Sequence, residues 1–206
     1  MTADQLPPHR PGHRPGQRIG LLGGSFNPPH AAHRAISLHA LERLALDRVW
    51  WLVTPGNPLK DTRGLPPLPE RLAAAQALAD HPAIDVTGIE AIIGTSYTCE
   101  TVAWLKEHCP GVHFVWIMGA DILPEFHRWK DWRGIADALP IAVMDRGGFG
   151  PEVLATPAVQ ALTPYRLPEA DAGKLAATAP PAWVFLHGLK LPLSSTALRN
   201  SAASGG

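Results

Sequence analysis

The stretch Gly23-Gly24-Ser25-Phe26-Asn27-Pro28-Pro29-His30-Ala31-Ala32-His33 gathers glycines, prolines and two imidazoles in one place. Glycine lets a backbone come close to a ligand. His30 and His33 are three residues apart, so on a helix they share one face. A helix starting here points free N–H groups and the positive end of its dipole at the loop, a combination that holds phosphate. Imidazoles beside it can donate hydrogen bonds to phosphoryl oxygens. The lysine spacing of a P-loop and the G-x-G-x-x-G dinucleotide fingerprint are both missing. The bland alternative is a proline-rich turn capped by one histidine. Paired histidines behind Gly-Gly and an apolar run favour the phosphate site.

Other residues could serve the same chemistry. Gly119 and Asp121 close an apolar run, where a carboxylate can accept hydrogen bonds from ribose hydroxyls. Ser195 and Thr196 stand at a helix start, where hydroxyls cap and free N–H groups attract phosphate. Tyr97 and Thr98 stand at another helix start. Lys60, on a long loop, is a cation able to close on phosphate; a solvated loop lysine is an equal alternative. Trp129 follows His127-Arg128, a polar setting for a tryptophan. Trp132 reads as core, and Trp50, Trp51, Trp104, Trp116 and Trp183 as structural.

Alternating elements must position these residues. Strands are expected at 18–23, 49–54, 84–87, 112–118, 141–144 and 183–186. Helices are expected at 30–46, 70–79, 98–107, 131–138 and 195–203. Residues 57–69 form a loop, and 147–181 are too rich in proline, alanine and glycine to assign. The alternation predicts an α/β fold: a Rossmann-like, doubly wound parallel sheet with helices on both faces. Such sheets bind ligands beyond the carboxyl ends of the strands, near the switch in strand order. That puts the loops after Leu22, Val53, Met118 and Met144 at the site.

Composition narrows the class. In 206 residues, 46% are hydrophobic and 17% charged, with 18 basic against 18 acidic side chains. This suits one globular domain and argues against a nucleic-acid binder driven by net charge. Cys99 and Cys109 match no zinc spacing and suit a reducing compartment. No apolar run reaches membrane-spanning length, so a cytoplasmic protein is expected. Residues 1–17 carry Pro7, Pro8, Pro11 and Pro15 and repeat His-Arg-Pro-Gly. They are expected to be a disordered tail before a single domain over 18–206.

The loop at 23–33 resembles the nucleotidyltransferase signature G-G-[ST]-F-[DN]-P-x-H-x-G-H. Ser194-Ser195-Thr196-Ala197-Leu198-Arg199 resembles its partner motif near the C-terminus. Thr95–Thr101, Gly119-Ala120-Asp121, Phe126–Trp129 and Asp145-Arg146 narrow the resemblance to the nicotinate-nucleotide adenylyltransferases. The matched segments run in family order over about 19–199, nearly the whole body. The resemblance implies adenylyl transfer from ATP to nicotinate mononucleotide, giving deamido-NAD and pyrophosphate, a step of NAD biosynthesis. It implies magnesium held by the ATP phosphates and no protein nucleophile, so catalysis is positioning and charge neutralisation.

The resemblance also distributes roles. His33 contacts the α-phosphoryl group and His30 the adjacent phosphates. Gly24, Ser25 and Phe26 line the dinucleotide site. Arg199, with Ser195 and Thr196, meets the ATP phosphates, and Lys60 closes on them. Tyr97 and Thr98 receive the nicotinate carboxylate, Gly119 and Asp121 the ribose, and Trp129 the pyridine ring; Arg146 matches a family arginine. Ala32 stands where the family has glycine, Leu59 where histidine is common, and Gly147 where proline follows the arginine.

The alternatives are a relative acting on nicotinamide mononucleotide or phosphopantetheine, a cytidylyltransferase, and a non-catalytic nucleotide-binding module. A hydride-transfer enzyme is disfavoured by the missing glycine fingerprint. Oligomeric state is left open.

Overall fold

A computed structural model describes residues 10–56, 63–145, 147 and 154–188. Its six strands are β1 (Arg18–Gly24), β2 (Arg48–Val53), β3 (Ile84–Thr87), β4 (His113–Gly119), β5 (Ile141–Met144) and β6 (Trp183–Leu186). They form one sheet in the order β3-β2-β1-β4-β5-β6, and every neighbouring pair is parallel. The order reverses between β1 and β4, and a cleft opens beyond their carboxyl ends.

Each strand is a nearly continuous apolar run because both faces of the sheet are covered. Alternate residues still part company. Trp50 and Leu52 join Phe114, Trp116 and Met118 in one core; Trp51 and Val53 join Val115 and Ile117 in the other. The second core is closed by α1 (Ala31–Arg43), α2 (Leu68–Ala79) and a 3₁₀ segment, Glu169–Ala177. The first is closed by α3 (Ile89–Ile93), α4 (Thr98–His108), α5 (Leu123–Phe126), α6 (Trp132–Ala138) and α7 (Pro157–Leu162).

The sequence expectations hold for the described strands, whose bounds shift by one residue at most. α1 ends earlier than its periodicity suggests. Leu46 N–H bonds to Leu41 O and Ala45 N–H to Glu42 O, while Ala45 adopts φ 51°. This is the Schellman closure normally carried by glycine. α3 and α5 were not expected, and the described part of 147–181 includes α7 and the 3₁₀ segments Thr163–Tyr165 and Glu169–Ala177. The expected helix at 195–203 lies outside the described residues.

The expectation of a disordered tail over 1–17 is corrected for its second half. Gln17 O accepts from His113 N–H (2.8 Å) and Gly16 N–H donates to Gly111 O (2.7 Å), continuing the β1/β4 ladder. Arg10 reaches His108 O, and the His13 ring meets the edge of Trp50. Prolines do not prevent this docking because its hydrogen bonds use Gly16, Gln17 and the Arg10 side chain. No helix among the described residues is long and apolar enough to cross a membrane.

Candidate active site

The β1–α1 loop is held by a column of rings. Trp51 stacks on Phe26 (5.1 Å between centroids), Phe26 lies against His33 (4.6 Å), and His33 lies against His30 (3.9 Å). Phe26 sits at φ 46°, a left-handed conformation that costs a side-chain-bearing residue roughly 1–2 kcal/mol. Its ring, 1% exposed, is fixed between Trp51 and His33, and that packing offsets the strain. Trp51 Nε1–H donates to Ser37 Oγ (2.7 Å), which donates to His33 O (2.9 Å), tying the first turn of α1 to the sheet. His33 Nδ1 accepts from the His30 backbone N–H (3.2 Å). The neutral His33 ring therefore carries its proton on Nε2, the nitrogen suited to donate to a phosphoryl oxygen. Ala32 is fully buried, so its extra methyl packs inside the protein.

Gly23 is required by Trp116: a Cβ there would stand 2.9 Å from the indole. Gly24 O accepts from Thr54 N–H (3.0 Å), which joins the β1 and β2 exits. Arg71 of α2 strengthens that junction. Only 3% exposed, its guanidinium donates to Ser25 O (2.8 Å), Thr54 O (2.7 Å), Pro55 O (3.3 Å) and Pro66 O (2.9 Å). One cation thus clamps both flanks of the β2–α2 loop to the β1–α1 loop. Burial lowers the Arg71 pKa from its usual value, and guanidinium remains charged.

A cavity of about 200 Å³ lies at the β1/β4 switch. Gly24, Ser25, Tyr97, Thr98, Trp116, Gly119, Trp129 and Lys130 are among the residues that line it. Trp129 stands edge-on to Trp116 (6.1 Å, 84°) and Phe126 (5.4 Å, 74°). Tyr97 precedes α4, its N–H bonded to Thr95 Oγ1 (3.0 Å) and its ring 40% exposed. The cavity also holds Glu90, 4% exposed. Glu90 Oε1 accepts from Thr101 Oγ1 (3.1 Å), while Oε2 has no hydrogen-bond partner among the described residues. Burial pushes the Glu90 carboxyl above the ordinary range, against the opposing pull of the Thr54 and Thr101 hydroxyls.

The structure therefore brings Gly24, Ser25, Tyr97, Thr98, Gly119 and Trp129 around one cavity. Phe26 and His30, both buried, and the half-buried His33 form the ring column of the β1–α1 loop and the first turn of α1, next in the chain after the lining residues Gly24 and Ser25. Asp121 lies in the 3₁₀ turn Ala120–Ile122, directly after the lining residue Gly119, and is not itself on the wall. Lys60, Arg146, Ser195, Thr196 and Arg199 lie outside the described residues. Gly147, at φ 84°, donates its N–H to Asp145 Oδ1 (2.8 Å), a bond proline could not make. Trp116, read as structural, also faces the cavity. Arg71, Glu90 and Lys130 were missed; each looks ordinary in sequence, and only the fold shows its surroundings.

The model of the cytidylyltransferase-like family matches residues 21–201. The fold, the loop at its switch point and this match define a nucleotidyltransferase. A relative from Bradyrhizobium sp. (strain BTAi1), described as a "probable nicotinate-nucleotide adenylyltransferase", is 61% identical over 90% of this chain and 97% of its own. One of the same description from Methylorubrum extorquens is 57% identical over 88% and 98%. The fold is that of a Plasmodium falciparum nicotinic acid mononucleotide adenylyltransferase solved with NaAD. The TM-score is 0.67, with 16% identity over 89% of this chain and 83% of that one. The chain belongs to the nicotinate-nucleotide adenylyltransferases.

Proposed function

We propose that this protein transfers the adenylyl group of ATP to nicotinate mononucleotide, producing deamido-NAD and pyrophosphate. The observation that carries the reading is the cavity at the strand switch, which Gly24 and Ser25 line together with Tyr97, Thr98, Gly119 and Trp129. The Gly24–Ser25 backbone suits phosphate, and Trp129 with the Tyr97–Thr98 helix start suits an aromatic ring and its substituent.

In this reading a phosphate oxygen of the mononucleotide attacks the α-phosphorus in line. The new P–O bond forms as the α–β bridge breaks, and pyrophosphate leaves with the electron pair. His33 Nε2–H donates to the α-phosphoryl oxygens, and His30 sits against the neighbouring phosphates. Arg199, Ser195, Thr196 and Lys60 meet the triphosphate, and Arg146 the mononucleotide, as the sequence motifs imply. Asp121 accepts from ribose, and Trp129 stacks on the pyridine. The N–H and imidazole donors of the β1–α1 loop suit phosphate oxygens rather than a hard cation. Magnesium would be carried by the ATP phosphates and would supply charge neutralisation for the leaving pyrophosphate. The two free cysteines agree with a cytoplasmic setting.

Pyrophosphate release with ATP, magnesium and one acceptor at a time tests the proposal. Nicotinate mononucleotide is expected to exceed the nicotinamide form by at least about 10²-fold in kcat/KM, because the amide NH₂ would face N–H donors without an acceptor. Phosphopantetheine is expected to be inert. Comparable rates for the acid and the amide would show that the ring pocket has been misread.

A further inference from the structure

Two charged side chains stand on the described wall of the cavity, and they lie in different places. Glu90 is buried within it, its Oε1 accepting from Thr101 Oγ1. Lys130, next after Trp129, stands half-exposed at the edge. Its Nζ lies 4.3 Å from the centroid of the Tyr97 ring and 2.6 Å from Glu100 Oε1. Glu100, in the first turn of α4, also accepts from Thr95 Oγ1. The ammonium is therefore drawn over the ring beside the proposed nicotinate site by a carboxylate that competes for it.

We infer that Lys130 is a specificity-determining residue, whose ammonium receives the carboxylate on the pyridine ring of the substrate, and that Glu100 tunes this contact by competing for the same cation. The inference rests on the function proposed above. The start of α4 at Tyr97–Thr98, which the proposed function gives the pyridine carboxylate, lies beside this ammonium, since Lys130 Nζ stands over the Tyr97 ring and both residues line the cavity. An ammonium has three donors, and Glu100 takes one. The acid gains a charge-assisted hydrogen bond at this position, whereas a neutral carboxamide gains only an ordinary one. Tyr97 holds the ammonium in place through its ring face, so the cation is positioned before substrate arrives.

The test reads two substitutions against each other. Steady-state kinetics at saturating ATP and magnesium compare nicotinate mononucleotide with nicotinamide mononucleotide for the wild type, Lys130→Met and Glu100→Gln. Lys130→Met is expected to lower the acid-to-amide ratio of kcat/KM by about tenfold, the size of a lost charge-assisted contact at a half-exposed site, with the loss carried by KM for the acid. Glu100→Gln is expected to move the ratio the other way, by freeing the ammonium and removing a repelling charge. Lys130→Arg, which keeps the charge, is expected to restore most of the discrimination. A wild type that turns over while the ratio stays unchanged in both Lys130→Met and Glu100→Gln overturns this inference alone. A wild type that releases no pyrophosphate with either mononucleotide overturns the proposed function and the inference with it.

Discussion

In the proposed reaction His33 is the residue expected to meet the α-phosphoryl group. Its Nδ1 is occupied by the His30 N–H, and its ring is held between His30 and Phe26. A donor fixed in this way needs no reorganisation as charge develops in the transition state. His33→Ala is expected to cost at least about 10²-fold in kcat while the thermal melt remains cooperative; near-wild-type turnover would contradict the role. Glu90 governs a pH effect. Its folded pKa is raised by burial, so the native state holds that proton more tightly than the unfolded chain does. The stability this gives is complete below the unfolded carboxyl pKa and is lost as pH rises through the folded value. Glu90→Gln, neutral at every pH, is therefore expected to raise Tm relative to wild type more at about pH 8 than at about pH 5. A Tm difference independent of pH would show that Glu90 is not titrating against its burial. Of the two, only His33 was legible in sequence, since its spacing from His30 and the preceding glycines form a pattern. Glu90 sits in an unremarkable Ile-Glu-Ala-Ile-Ile run, and its meaning comes from strands and helices that bury it.

Among the elements, the described strands were legible because the sheet is covered on both sides, so each strand is an apolar run bounded by turn residues. What escaped notice was short or lacked its usual signal. α3 and α5 span five and four residues, too few to display a helical period. α1 ends in a Schellman closure built on Ala45, and no glycine marks it. The clamp by Arg71 was hidden because α2 shows only an alanine-rich face, while the carbonyls it meets come from Ser25, Thr54, Pro55 and Pro66. Arg71→Met would leave buried carbonyls without donors. It is expected to destabilise the fold by about 3 kcal/mol, read as a lower urea midpoint. Arg71→Lys keeps the charge but loses the forked reach, and is expected to recover only part of that stability. Full recovery by lysine would mean that charge alone, and not the four-way geometry, holds the loops.

At the scale of the whole molecule, the order β3-β2-β1-β4-β5-β6 sets the site. It brings the β1 exit, with its glycines and histidines, beside the β4 exit, with Gly119 and the segment leading to Trp129, although about ninety residues of chain separate them. With 18 basic and 18 acidic side chains, the chain has no net field to draw in an anionic substrate. Under the proposed function, recognition is therefore expected to be local, through backbone N–H groups, the β1–α1 histidines and the Lys130 ammonium on the cavity lining. The central claim is that the adenylyl group itself moves to the mononucleotide. It is tested most directly by incubating the protein with nicotinate mononucleotide, magnesium and ATP labelled either at the α-phosphate or at the γ-phosphate, then separating the products. The account predicts that α-label appears in the dinucleotide and γ-label in pyrophosphate, in equal amounts. Label from the γ-phosphate in the mononucleotide product, or no transfer of α-label, would contradict it.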